Sequence, residues 1–440
     1  MFVTSLARQF TNNIPTFRKH VCDALIGHGD ITSRPLREQW HQLILGPLSK
    51  LKSNVCHSSY ILVVDALDEC NNENDTRILL HLFAEVQLLE SVRLRVFLTS
   101  RPEIPIRHEF YQIPDEEHQD FVLHDISPSI VDHDLTIFLE YNFKLIRDEC
   151  SLDASWPSEE VIKCLVHAAS GLFIWAATAC QFVRDGKQHA AQRLDTILKS
   201  SGSESTMIAP EKRLDEIYAT VLRQTIPSEY TDEEREESYC ILRQVLGSIV
   251  VLFTTLSVYS LSRLLHVPQE DLGQIVEDLH SILNISKEKS QPLRLHHPSF
   301  RDFLLENNRC QEPCFWVEAK HAHQILAEDC IRLMSAVIKQ DMCDFRAPGK
   351  LTTDVDAAQV EKYLPPELQY ACLYWIPHLQ QSSLQLCDND QVHQFLQEHL
   401  LHWLEALGWM GKISDGILAI SSLEDQILVS PLYRNYIQGS

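Results

Sequence analysis

The segment Ile61-Leu62-Val63-Val64-Asp65-Ala66-Leu67-Asp68-Glu69 is an apolar run that ends in acids. A buried strand of this kind puts Asp65 at the C-terminal edge of a parallel sheet, where ligands bind. Its carboxylate there is the hard oxygen ligand that a nucleotide-bound magnesium ion needs. Asp68 and Glu69 follow closely enough to orient a water against a terminal phosphate. A second run, Phe97-Leu98-Thr99-Ser100-Arg101-Pro102, places polar and cationic groups at the same edge of a neighbouring strand. Two roles are open to Arg101: pairing with a terminal phosphate, or a salt bridge to Asp68 or Glu69. Other chemistry is thin. Cys310, Cys314, His321 and His323 have a C-x3-C-x6-H-x-H spacing that imitates a zinc site, but Cys314 sits in an apolar context and the histidines are helical neighbours. The sequence contains no H-E-x-x-H and no G-x-S-x-G.

The elements that must hold these groups are legible from periodicity. Val3, Leu6 and Phe10 share a helical face, and Asn12 or Asn13 can cap a second helix with Pro15 in its first turn. A third helix is predicted from about Ser33 to Leu51, with Leu36, Trp40, Leu43 and Ile44 inward. The first stripe begins at Met1 with no capping residue before it, which predicts structure ahead of it. Tyr60 to Val64 and Leu94 to Leu98 then read as strands joined by a helix through Ile78, Leu79, Leu82, Phe83 and Val86. That βαβ unit implies a parallel sheet covered on both faces. A third strand is predicted at Phe121 to Leu123.

From about Ser127 the pattern is mainly helical, through Leu135 to Leu145 and Val161 to Val183, as far as a polar linker at 200–210. Thr231 and Glu234 form a capping box, and the acids from Asp232 to Glu237 suit a helix N-terminus better than a metal site. Leu261 to Leu265, Leu272 to Leu283 and a strand at Leu293 to His296 give a winged-helix pattern. Beyond Phe315 come amphipathic helices separated by polar loops near 345–358 and 382–391.

Length and composition bound the functions available. At about 150 residues per domain, 440 residues predict about three domains. Apolar residues are 45% and charged residues 22%, which excludes disordered and fibrous chains. With 38 basic and 61 acidic residues the net charge is −23, unfavourable for a dedicated DNA or RNA binder, the winged helix included. No stretch approaches 18 consecutive apolar residues, and the N-terminus is not a secretory signal, so neither a membrane partner nor secretion is expected. The 13 cysteines are expected as free thiols, with Cys70, Cys164, Cys180, Cys240 and Cys372 as buried small hydrophobes. Only 13 glycines occur, about 3% against a usual level near 7%, which argues for helices and few glycine-rich loops.

VVDALDEC followed some thirty residues later by FLTSRPE resembles the Walker B and sensor 1 motifs of NACHT-type signal-transduction NTPases, particularly the fungal set with a nephrocystin-like N-terminal module. Gly171-Leu172-Phe173-Ile174-Trp175-Ala176 resembles the helix motif of the family's first helical domain, with Phe173 where relatives often have proline. His297-Pro298-Ser299-Phe300-Arg301-Asp302-Phe303-Leu304 resembles a winged-helix motif whose histidine senses ADP. A plainer role for that segment is helix packing by Phe300, Phe303 and Leu304, with His297 as a cap.

The resemblance implies an incomplete α/β P-loop NTPase sheet at 1–126 and a helical domain at 127–200. A linker at 201–212, a winged helix at 213–308 and a helical region at 309–440 that precedes ankyrin or WD repeats in relatives would follow. It implies Mg-ATP and Mg-ADP as ligands, with Asp65 on magnesium, Asp68 and Glu69 positioning water, Arg101 on the γ-phosphate and His297 on the ADP β-phosphate. It also implies a cytoplasmic switch that self-associates or binds full-length NACHT relatives. One part of the pattern is absent: the Gly-Lys pairs, Gly186-Lys187, Gly349-Lys350 and Gly411-Lys412, are followed by Gln, Leu and Ile, so none is a G-x-x-x-x-G-K-[ST] loop. In the family that loop precedes the helices with which this chain opens. The expectation is therefore a truncated chain that does not hydrolyse nucleotide unaided, or a noncatalytic interaction module.

Overall fold

The computed structural model describes residues 2–27, 31, 34–51, 59–70, 73–89, 92–101, 104–114, 116, 118–201, 209–226, 229–285, 288, 291–344, 357–384, 386–387 and 389–429. The chain divides into two compact units, Met1–Asp125 and Ile126–Ser440.

In the first unit, α1 (Phe2–Asn13) buries Val3, Leu6, Ala7 and Phe10, as its stripe predicts. It turns at Ile14 into α2 (Pro15–Gly27), where the Phe17 ring lies 5.4 Å from that of Phe10. The predicted third helix is interrupted. After α3 (Leu36–Trp40), His41–Leu45 form one wide π turn before α4 (Gly46–Ser49). Pro47 has no N–H to bond back to Leu43, and Gly46 approaches the His41 carbonyl so closely that a Cβ would lie 2.9 Å from its oxygen. Trp40 is fully buried at this break, its ring 5.7 Å from Phe83.

Strand β1 (Ser59–Val64) leads through α5 (Glu73–Ala84) to β2 (Arg93–Leu98), which pairs with it in parallel, Ile61 opposite Arg95 and Val63 opposite Phe97. Leu62 and Val64 point into the core, with Leu79, Leu82, Phe83 and Ile106 of α6 (Ile104–Phe110). Two expectations fail here. Among the described residues the sheet is not covered on both faces: Ile61 is 71% exposed, Val63 62% and Phe97 53%. Phe121 to Leu123 is not a strand; Leu123 opens a short 3-10 turn and all three side chains are exposed. A strand needs a neighbour for its N–H and C=O groups, and among the described residues none lies beside this segment.

The second unit opens with α7 (Pro128–Cys150), α8 (Glu159–Ala169) and α9 (Phe173–Asp185). The periodicity from Val161 to Val183 is broken at Gly171, whose φ of 82° is left-handed and favours glycine. Next come α10 (Ala190–Ser201) and α11 (Pro210–Arg223), so the end of the predicted linker is helical, and 202–208 lie outside the described residues. Helix α12 (Asp232–Val251) begins with the predicted capping box, the Thr231 hydroxyl accepting from Glu234 N and Glu234 accepting from Thr231 N.

The compact group that follows is α13 (Val258–Leu265), α14 (Gln269–Asp278) and an antiparallel pair, β3 (Leu283–Asn284) with β4 (Arg294–Leu295). The second predicted helix stops at Asp278, and Leu283 belongs to the hairpin. Helix α15 (Ser299–Leu305) packs Phe300 and Phe303 around Tyr218 at 5.1 and 5.7 Å. Then come α16 (Ala319–Val337), α17 (Ala357–Tyr363), α18 (Pro366–Gln381), α19 (Gln391–Trp409) and α20 (Ile413–Val429). Most of the loop predicted at 345–358 lies outside the described residues. Helices α18 and α19 share an aromatic core in which Trp403 donates to the Cys372 carbonyl at 2.9 Å. Cys180 and Cys372 are buried as predicted, Cys70 is half-buried, and Cys164 and Cys240 are exposed because they fall on the outer faces of α8 and α12.

Candidate functional site

The parallel pairing continues one step past the strands. Thr99 N donates to the Val64 carbonyl at 3.0 Å, and Leu67 N donates back to the Thr99 carbonyl at 3.0 Å. Between those bonds lie Asp65 and Ala66, at the C-terminal edge. The Thr99 hydroxyl accepts from Ala66 N at 2.9 Å and donates to Asp65 Oδ1. Ala66 is held at φ 52°, ψ 57°, a left-handed conformation that is unfavourable for an L-residue by about 1–2 kcal/mol. That turn drops buried Leu67 into the core and sets Asp68 and Glu69 on a single 3-10 turn.

Asp68 faces the second strand. Its Oδ1 accepts from Arg101 N at 2.9 Å and from Ser100 Oγ at 3.3 Å, and its Oδ2 lies 3.5 Å from Arg101 Nε. The salt-bridge role open to Arg101 in the sequence is therefore occupied in this structure. Asp65, Asp68 and Arg101 come together at one edge, and Glu69 is exposed beside them. Thr99, which ties Asp65 to the turn, is not among the candidate residues that the motifs single out. Its signal is the register: a strand pair that aligns Val63 with Phe97 puts Thr99 beside Asp65.

His297 belongs to the second unit. Its Nδ1 accepts from Ser299 N at 3.2 Å, at the start of α15, so this ring nitrogen is unprotonated and the ring proton is on Nε2. Ser299 Oγ donates to Nδ1 at 2.7 Å and accepts from the Tyr218 hydroxyl at 2.8 Å. Burial pushes the Tyr218 hydroxyl above its ordinary range, which keeps it protonated. Phe300, Phe303 and Leu304 are buried beneath this chain of bonds. In the first helical segment, Phe173 is 42% exposed, its ring 5.8 Å from Phe138.

The zinc-like spacing does not assemble. Cys310 is buried, which pushes its thiol up to about 12, and His323 Nδ1 is engaged by His378 Nδ1 at 2.7 Å. Among the described residues no group of three or more His, Cys, Asp and Glu is arranged to hold a metal ion. No described helix is long and apolar enough to cross a membrane.

Residues 1–101 match the family model described as nephrocystin 3, N-terminal, a span that contains Asp65, Asp68, Glu69 and Arg101. The vegetative incompatibility protein HET-E-1 of Podospora anserina is 26% identical over 389 residues, which covers 82% of this chain. The chain spans only 26% of the length of that relative. No solved structure matches. Because the first unit ends at Asp125, a match over 82% of the chain must continue into the helices of the second, so the likeness to a fungal protein involves both units.

Proposed function

We propose that this chain is the core of a NACHT-type signalling switch that, as these 440 residues, does not hydrolyse nucleotide. The observation that carries the reading is the convergence of Asp65, Asp68, Thr99 and Arg101 at the C-terminal edge of a parallel strand pair, inside the nephrocystin-like match. Asp65 offers a hard oxygen ligand to magnesium, Asp68 and Glu69 are the water-positioning acids, and Arg101 is the cation for a γ-phosphate. The helix, helix, hairpin group is read as the winged helix, and His297 as its ADP-sensing histidine.

These residues fit the metal end of Mg-ATP and Mg-ADP and not the phosphate end. The sequence has no G-x-x-x-x-G-K-[ST], and Asp68 and Arg101 already satisfy one another. Calorimetry of the purified chain with Mg-ATP and Mg-ADP tests the proposal. Heat is expected at the level of dilution, and micromolar affinity would overturn the claim of a silent site. The second reading is a noncatalytic interaction module that binds or regulates full-length NACHT relatives, and the uncovered sheet face favours it. Copurification with such a relative is the expected result under that reading.

A further inference from the structure

Helix α19 carries His399 and His402, and a separation of three residues puts both side chains on one side of a helix. Their Nδ1 atoms lie 3.4 Å apart, and both residues are half-buried. The His399 ring is stacked on buried Phe395, with ring centres 5.8 Å apart and planes at 28°. At the other nitrogen of that ring, Glu398 Oε2 lies 3.8 Å from His399 Nε2. A carboxylate there favours the tautomer with its proton on Nε2, which leaves Nδ1 with a lone pair.

The distance decides between two roles for the pair. Nitrogens that share a proton close to the hydrogen-bond range of about 2.7–3.2 Å. Another histidine pair of this unit does so, with His323 and His378 Nδ1 at 2.7 Å. The pair on α19 is more open. Two imidazole nitrogens on one tetrahedral zinc ion, each about 2.0–2.1 Å from it, stand about 3.3–3.4 Å apart. The separation is therefore that of a chelate. No third His, Cys, Asp or Glu joins them among the described residues, so the pair supplies two of roughly four ligands and water fills the remainder. Donor type selects the ion: neutral imidazole suits zinc, copper and nickel, whereas calcium and magnesium take oxygen ligands. A rigid helix holds the two donors in place, which a loop would do less well.

We infer that His399 and His402 form an exchangeable site for a divalent ion of the zinc and copper class, held through Nδ1 of both rings. The site is separate from the nucleotide reading. No residue of the carboxylate edge takes part in it, and its failure leaves that reading untouched.

The probes are zinc and copper(II) alone, added to the metal-free 440-residue chain. Zinc binding is followed by calorimetry. His399→Gln and His402→Gln, each by itself, are expected to weaken it at least about tenfold, because a chelate needs both donors. His133→Gln removes an exposed histidine of α7 and is expected to change nothing. Circular dichroism checks that each variant folds. Copper(II), added below stoichiometry to the unmutated chain, is expected to give an electron paramagnetic resonance spectrum split by two nitrogens, a readout that needs no variant. Absence of zinc binding, affinity unchanged in either α19 variant, or an equal loss in His133→Gln overturns the inference. A copper spectrum with any other number of nitrogens overturns it as well.

Discussion

Thr99 meets two demands with one hydroxyl: it accepts from Ala66 N and donates to Asp65 Oδ1. Thr99→Val keeps the shape, leaves Ala66 N without that acceptor and releases the carboxylate. It is expected to lower the stability of the first unit by about 1–2 kcal/mol in urea unfolding, with Thr99→Ser near wild type. The acids and Arg101 were legible because strand ends in acids and cations stand out in sequence. The partner of Asp65 was not, since it appears only when two strands 34 residues apart take one register. A second hidden constellation is Tyr370, His378 and His323. The Tyr370 hydroxyl accepts from Phe253 N at 3.2 Å and donates to His378 Nε2 at 2.7 Å, so the remaining proton of His378 is on Nδ1 and donates to His323 Nδ1. Burial, then the nearby His323, pushes His378 down to about 3. Burial, then Arg301, also lowers His323. A folded value below the ordinary 6.5 means that stability is present above 6.5 and is lost as pH falls toward 3, by at most about 1.4 kcal/mol per pH unit for His378. Asp329 acts oppositely: burial raises it to about 6, so its contribution is full below 3.8 and lost as pH rises through 6. Denaturation from pH 7 down to 5 is therefore expected to be steeper in Asp329→Asn than in wild type, and flatter in His378→Phe.

Helices declared themselves where an apolar stripe and a cap coincide. The stripe of α1 and the capping box of α12 follow from residues next to one another in the chain, whereas the break at Gly171 was hidden inside a continuous helical pattern from Val161 to Val183. Elements whose existence depends on distant backbone were not legible. Phe121 to Leu123 has strand composition and, among the described residues, no strand beside it; the wide turn at His41–Leu45, by contrast, has a local cause in Gly46 and Pro47 that the apolar stripe concealed. The tie between α11 and the end of α15 is another product of folding. Arg309 forks onto Asp215, Nη2 to Oδ1 at 2.7 Å and Nε to Oδ1 at 3.1 Å, where both side chains are mostly buried. Removing one partner strands a buried charge, so Arg309→Met is expected to cost about 3–5 kcal/mol in urea unfolding. The double variant Arg309→Met, Asp215→Leu is expected to recover most of it, because the pair leaves together. Recovery would show that the fork joins the elements by satisfying charge and is replaceable by packing.

At the scale of the molecule, 125 residues of α/β structure and a longer helical unit have different needs. The helical unit closes its core on itself, with Trp175, Phe182, Phe300, Trp375 and Trp403 buried. The first unit buries one face of a two-strand sheet and, among the described residues, leaves the other exposed. A ligand that binds only the folded state stabilises it by RT ln(1 + [L]/Kd), about 4 kcal/mol at a thousandfold excess over Kd. For a domain of this size that is a rise in Tm on the order of 10 °C. Millimolar Mg-ATP acting on a micromolar site would therefore displace the transition of the first unit conspicuously and leave that of the second in place. Because Asp65 and Arg101 lack a phosphate-wrapping loop, the expected result is no shift in either transition with Mg-ATP or Mg-ADP. A nucleotide-dependent rise that disappears in Asp65→Asn would mean that the carboxylate edge holds the nucleotide without the loop, and the silent-site proposal would be wrong.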